Sequence, residues 1–451
     1  MKFLKTIVLI AVFVPVPKQI QSEPCVCLAP RFVFSKTTGV NADQIMVRQL
    51  QVTTQGPNII ETWNIREGGH DYNITLQATN NDHFDRFFNR IGRNEFVKKI
   101  AYFNSFINVP DHGFQPVTTI CINPERDGYD AEFHTLTLAN PSAITHEMGH
   151  ALFAAIEPGM FKKNAAMFGG PLNLLNVPEI SDELKKIFCI FLIHRRYLFI
   201  KDEKYDQIPN SGHPHDSLDE FMASAFHVYH DYPDALAATM TEPGDAESQS
   251  ALRMLCGYLS DTFRQLGIRR NQFQANWTEM LGSVTDTSLF RQLIDEYKEA
   301  DKRVTDCKQA KTSFEYRNLE SQRKSVSYGI IHMAKKLGLN TVLSFTKDLN
   351  PGDQAEMIQI LADHYDTRMP EGFHLEDIVA QLDLNNPLQL VFLKKMTPYM
   401  ISFITDYLGR KGRHEEAGII FRSLPIILRI KVDLKMQEGN PSLFKAVMTS
   451  V

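Results

Sequence analysis

Tryptophan is almost missing from this chain, two in 451 residues, and neither sign of charge dominates: 48 Lys and Arg stand against 53 Asp and Glu, a formal net charge of −5. A nearly balanced, slightly acidic chain lacks the basic footprint of nucleic-acid binding, so no such partner is expected. The basic pairs Lys185-Lys186 and Arg195-Arg196 are short and read as solvated helix faces. Long apolar runs are scarce too. Ile7 to Val14 and Ile187 to Ile193 both fall well short of the ~20 residues a membrane-spanning helix needs, and no stable span is expected. Low-complexity blocks and clear repeats are absent. With 43% hydrophobic and 22% charged residues, the composition is that of a folded soluble protein and excludes the disordered and fibrous classes.

What is present begins with a leader pattern. Lys2 and Lys5 precede the apolar run, and Pro15, Pro17 and the small Ser22 follow it, as in a secretory signal. Residues 1–22 are therefore expected to be removed and the chain to be secreted and extracellular; without Lys2, Lys5 and Lys18 the net charge becomes −8. Retention as an anchor is disfavoured by the length of the run. The six cysteines, Cys25, Cys27, Cys121, Cys189, Cys256 and Cys307, form an even set that permits disulfides in an exported chain. Cys25 and Cys27 are too close to pair with each other. Cys189 and Cys256 lie in apolar helical stretches that equally suit buried thiols. Asn73-Ile74-Thr75 and Asn276-Trp277-Thr278 are glycosylation sequons for a eukaryotic secretory route.

From Cys25 to Leu138 the pattern is one of short strands, expected at Arg31 to Ser35, Met46 to Thr53, Tyr72 to Leu76 and Val117 to Ile122, with one helix near His83 to Phe103. Alternation returns in Glu132 to Leu138, where His134, Leu136 and Leu138 share one face and Phe133, Thr135 and Thr137 the other. From Asn140 helices dominate, over Pro141 to Ile156, Asp182 to Phe199 and Ser217 to His230. Pro243 and Gly244 mark a break within Glu242 to Ser250. Beyond it the chain reads as helical to Val451, interrupted at Gly267, Gly338, Pro351-Gly352, Pro370 and Pro387. The expected organisation is α+β: a leader (1–22), a region of mixed sheet and helices (23–245) and a mainly helical C-terminal region (246–451).

His146-Glu147-Met148-Gly149-His150 is the strongest chemical signal. Histidines four apart on a helix lie on one face a turn from each other, as two zinc ligands from one rigid element require. Glu147 projects beside them, where a carboxylate can take a proton from an activated water. Three fixed residues at this spacing arise by chance in on the order of one or two per cent of chains this long, so the context must carry the reading. Here Asn140 can cap the helix, Pro141 suits its first position, and a strand runs straight into it. Ile144, Met148, Ala151 and Ala155 form an apolar stripe opposite the histidines, which are expected to face outward from the core. The bland alternative makes all three ordinary polar-face residues of an amphipathic helix.

A catalytic zinc needs a third protein ligand and an open position. A histidine six residues after His150 would mark the metzincin arrangement, but Ile156 stands there, and Phe153 replaces that class's glycine. The best-placed carboxylate is Glu220, opposite the stripe Leu218, Phe221, Met222, Ala225, Phe226 and Tyr229 of its helix. Two helices can then bury their backs and turn the histidine pair and Glu220 into one cleft. The competing reading is a capping box, in which Ser217 and Glu220 only satisfy backbone donors. Asp219 is the other local acid. Glu157 lies about 10 Å along the helix from His150, too far to share a metal. No serine elbow, phosphate-binding glycine loop or cysteine-nucleophile motif competes for the active centre.

His146-Glu147-Met148-Gly149-His150 followed by Glu220-Phe221-Met222-Ala223-Ser224-Ala225-Phe226 resembles the gluzincin pattern, and is similar in particular to the catalytic domain of anthrax toxin lethal factor and its relatives. The resemblance covers these two helices alone. It implies a zincin-like first region, Glu220 as the third zinc ligand and a peptide or protein substrate. Ser224 departs from the family's usual acid, which supports a ligand histidine. His213 stands where the family has a tyrosine that stabilises the oxyanion. His213 and His215 are therefore candidate transition-state donors, against the reading of exposed loop histidines. The expected function is a secreted zinc metalloendopeptidase; the alternative is a secreted zinc-binding protein without turnover, acting as a binding or interaction module. The C-terminal helices are read as a packing domain or, alternatively, a partner-binding module. The strand Glu132 to Leu138 is expected to be an exposed edge that pairs an extended substrate.

Overall fold

The computed structural model describes residues 45–67, 69–107, 115–130, 133–157, 175, 180–198, 214–232, 246–265, 276–347, 349–366, 379–380 and 382–439. The expected leader, the strand at Arg31 to Ser35, Cys25, Cys27, His213, Gly267 and Pro370 lie outside them.

Three long strands, β1 (Met46–Gln55), β2 (Asn58–Glu67) and β3 (His70–Ala78), form an antiparallel meander. β4 (Thr119–Ile122) adds parallel to β3, and β6 (Thr135–Leu138) parallel to β4. The short β5 (Gly128–Asp130) pairs antiparallel with β6 and ends a six-stranded mixed sheet in the order β1-β2-β3-β4-β6-β5. Register sorts the side chains. Trp63 stands beside Ile74, Leu76 beside Ile120 and Leu136, and Ala78 beside Ile122 and Leu138, all buried on one face. Thr62, Thr75, Thr119 and Thr135 form a row across the other.

β2 and β5 are additional to the strands expected from sequence. Hydrophobic alternation in β2 is broken because Glu61 and Glu67 occupy its inward face beside Trp63 and Ile65. The expected edge at Glu132 to Leu138 is corrected: β6 is paired on both sides, and β5 takes the edge. The single helix expected near His83 to Phe103 is two, α1 (Asn81–Arg90) and α2 (Arg93–Asn104), with Ile91 and Gly92 extended between them. Asn80 caps α1 by accepting from the His83 N–H at 2.8 Å. Phe84, Phe87, Phe88 and Phe96 interlock edge to face across that break.

The rest is helical: α3 (Ile144–Ile156), α4 (Asp182–Leu198), α5 (Leu218–Asp231), α6 (Ala246–Gln265), α7 (Trp277–Ser283), α8 (Asp286–Asp306), α9 (Phe314–Leu337), α10 (Leu339–Thr346), α11 (Pro351–Asp366), α12 (Pro387–Lys395), α13 (Pro398–Arg410), α14 (His414–Ser423) and α15 (Ile426–Gly439). Pro351 and Pro387 open helices, where a missing N–H is harmless, and Gly338 ends α9 at φ 81°. α4 packs against α6, α8 and α9, so the buried apolar side chains run as one cluster from Ile45 to Met436. No helix among the described residues is long and apolar enough to cross a membrane. Cys121, Cys189, Cys256 and Cys307 are all free thiols. Cys189 and Cys256 are fully buried, and burial pushes the Cys189 thiol up to about 12.

Candidate metal centre

The helix of the histidine pair starts where the sheet ends. Asp127 Oδ1 accepts from the backbone N–H groups of Ala139 (2.7 Å) and Asn140 (3.3 Å), which pins the turn after β6. Burial pushes the Asp127 pKa up, against those two donors and the charge of His146, which lower it. Asn140 Oδ1 in turn accepts from the Ser142 N–H at 3.1 Å, and Pro141 opens a 3-10 turn that runs on as α3. The capping residues expected from sequence are in place.

The outward-facing histidine face is not. Every residue from Ile144 to Ala155 is buried, and His146, Glu147 and His150 keep only 5%, 5% and 6% of their exposure. The reason is α5, which crosses α3 at Gly149. A Cβ on Gly149 would lie 3.0 Å from Ala223 Cα, 3.1 Å from Ala223 O and 3.2 Å from Phe226 Cδ1. Only glycine lets the two backbones touch there, and the contact lowers the first turn of α5 onto the imidazoles.

In that first turn Ser217 Oγ accepts from the Glu220 N–H at 3.2 Å. Half of the expected capping box therefore exists. The Glu220 side chain turns instead to the histidines: Oε2 lies 3.1 Å from His146 Nε2 and 3.6 Å from His150 Nε2, and the two Nε2 atoms are 3.2 Å apart. The rings stand at 88°. A tetrahedral zinc with bonds of about 2.0–2.1 Å holds its ligand atoms about 3.3 Å apart, so this triangle fits the ion. One carboxylate oxygen of Glu147 lies within 4.8 Å of one nitrogen of each imidazole. The Glu220 side chain retains 27% exposure against 6% for the imidazoles, so it is the most accessible of the three donors. Burial works to raise the Glu220 pKa, but the charge of His150, hydrogen bonds to both imidazoles and the charge of His146 hold it well below the usual carboxylate range.

Asp219 supports the set from behind. Its Oδ1 lies 2.9 Å from His150 Nδ1, so in the neutral ring the hydrogen sits on Nδ1 and the Nε2 lone pair is left to the triangle. No family model, curated protein or solved structure matches the chain. The reading of the site accordingly rests on these distances and on the donor types.

The other sequence candidates are placed as follows. Glu157 accepts from Ser181 N–H (3.4 Å) and Oγ (3.1 Å) beyond the end of α3, a structural bond. Ser224 is buried, and its Oγ has no hydrogen-bond partner among the described residues; the acidic support comes from Asp219 instead. The His215 ring lies flat on Phe191, 5.2 Å between centroids at 7°. Sequence reasoning weighed Asp219 only as a ligand and gave Gly149 and Asp127 no role. The signal for Asp219 was its place directly before Glu220 in a capped first turn, where an acid is also favoured by the helix dipole.

Proposed function

We propose that the protein is a secreted zinc-dependent metalloendopeptidase of the gluzincin type, with a zincin-like sheet-and-helix region similar to the lethal factor catalytic domain. The observation that carries this reading is the triangle of His146 Nε2, His150 Nε2 and Glu220 Oε2. Two imidazoles and a carboxylate are the donor set of a catalytic zinc. Zinc bound there would lower the pKa of a water toward neutrality and polarise the scissile carbonyl. Glu147, buried beside the imidazoles, is the carboxylate that would take a proton from such a water and return it to the leaving amine. Asp219 fixes the His150 tautomer. His213 and His215, which precede α5, are the candidate donors to the developing negative charge.

The substrate-pairing role read from Glu132 to Leu138 passes to β5, whose outer side pairs with no strand among the described residues. An extended peptide added there runs beside α3, against which β5 packs. Export rests on the leader pattern at residues 1–22 and agrees with the exposure of the sequon asparagines Asn73 and Asn276.

The test is metal content and cleavage of a mixed peptide library by the purified protein, Glu147→Gln and Glu220→Gln. The native chain is expected to hold one zinc and cleave. Glu147→Gln keeps the zinc and loses roughly a hundredfold or more in rate, whereas Glu220→Gln binds zinc more weakly. A native chain that holds zinc and cleaves nothing would establish the binding-module alternative; one that binds no zinc defeats both.

A further inference from the structure

A second buried polar cluster lies along the α3–α5 crossing, away from the triangle. Asp231, the last residue of α5, accepts from Thr145 Oγ1 at 2.8 Å through Oδ2. Its Oδ1 is 2.7 Å from His230 Nδ1, and His227 Nε2 lies 3.5 Å from Oδ2. His230 Nε2 is 3.5 Å from the Tyr102 hydroxyl on α2, and the rings of Phe103 and Phe226 pack against the same imidazole. Lys99, also on α2, is fully buried. Burial pushes its pKa down to about 8, while the charge of Asp231 opposes that fall. Burial would raise the Asp231 pKa, but Lys99, His230 and His227 hold it far below the usual carboxylate range. The Thr145 bond ties α3 to the C-terminal end of α5 at this one carboxylate.

Helix stability does not explain the arrangement. An acid at a helix C-terminus opposes the helix dipole, and a buried ion pair gives little net stability over an apolar replacement of the same volume. What the cluster does is fix geometry. Thr145 directly precedes His146, and Gly149 directly precedes His150. The Gly149 contact sets how closely α3 and α5 approach at one point. The tie at Thr145, about 6 Å further along the axis, adds a directional polar bond between the same two helices.

We propose that Thr145 and Asp231 form a positioning clamp that locks the helix of His146 and His150 in register with the helix of Glu220. The clamp rests on the zinc reading above. Metal ligation tolerates errors of about 0.2 Å in ligand distance, so a small rotation of α3 against α5 opens the triangle. Thr145 supplies the tie to α3 and Asp231 receives it, with the charge of Lys99 favouring the ionised carboxylate.

The experiment compares the full chain with Thr145→Val, Thr145→Ser, Asp231→Asn and, as a control far from the cluster, Leu361→Ala in the core of α11. Zinc dissociation constants are measured by competition with a chromophoric chelator, the d–d spectrum is recorded after cobalt substitution, and melting midpoints are taken on the metal-free proteins. Thr145→Val and Asp231→Asn are expected to weaken zinc binding about 10–100-fold and to alter the cobalt spectrum, with Thr145→Ser within about threefold of the native chain. Leu361→Ala lowers the melting midpoint and leaves zinc affinity unchanged. If Thr145→Val and Asp231→Asn behave like Leu361→Ala, the cluster is only structural and the proposal falls. Should Asp231→Asn fail to fold, the Thr145 pair decides alone. A native chain without zinc overturns the metallopeptidase reading itself, a result separable from the failure of the clamp.

Discussion

Asp219 and Glu220 are neighbours in the chain with separate tasks. Glu220 reaches both imidazoles, whereas Asp219 turns to His150 Nδ1 at 2.9 Å and sets which ring nitrogen presents its lone pair. Replacing Asp219 by Asn keeps the size and removes the charge. Asp219→Asn is expected to weaken zinc binding about 10–100-fold while one zinc still binds at saturation, as read by equilibrium dialysis. An unchanged affinity would mean that His150 needs no such support. Glu67 tests the electrostatics away from the site. Burial on the inward face of β2 pushes its pKa up to about 8, with the Tyr72 hydroxyl opposing slightly. The folded chain therefore keeps a proton that the unfolded chain has lost between about pH 4.5 and pH 8, and stability falls as pH rises through that window. Glu67→Gln removes the penalty. Its unfolding free energy should match that of the native chain near pH 4 and exceed it increasingly toward pH 8, by up to about 1.4 kcal/mol per pH unit, as read by chemical denaturation; a constant difference would contradict the assignment.

At the scale of elements, the crossing of α3 and α5 decides whether the residues form a site. Gly149→Ala places a methyl group 3.0–3.2 Å from Ala223 and Phe226, so the helices must separate. The expected loss is about 1–3 kcal/mol in stability together with weaker zinc binding, measured by chemical denaturation and metal titration. Native-like values for both would show that the helices do not touch there. Both helices were legible in the sequence because capping residues and apolar spacing agreed, at Asn140 and Pro141 for α3 and at Ser217 for α5. The burial of the histidine face was not legible, since it depends on how closely another helix can approach Gly149. The sheet was half legible. β3, β4 and β6 follow the alternation, but Glu61 and Glu67 disguise β2, and β5 is too short to show a period. The clamp was hidden for a different reason: Thr145 and Asp231 come from two helices that only the folded chain brings together.

Across the whole molecule, one sheet with helices on its inward face passes through α4 into the C-terminal helices without a gap in the apolar core. The helical region therefore shares the core beneath α3 and α5, and Ser325 on α9 donates to the Asp216 carbonyl just before α5. This continuity places the site on rigid elements, with α3 held from the sheet side by Asp127 and from the helical side by α5. X-ray absorption at the zinc edge of the purified, zinc-loaded full chain tests the central claim most directly. Two imidazole nitrogens and one carboxylate oxygen at about 2.0–2.2 Å, plus one light atom from solvent, are expected, with both imidazole contributions lost in a His146→Ala, His150→Ala double variant. A sulfur-ligated spectrum, or one unchanged in that double variant, would contradict it.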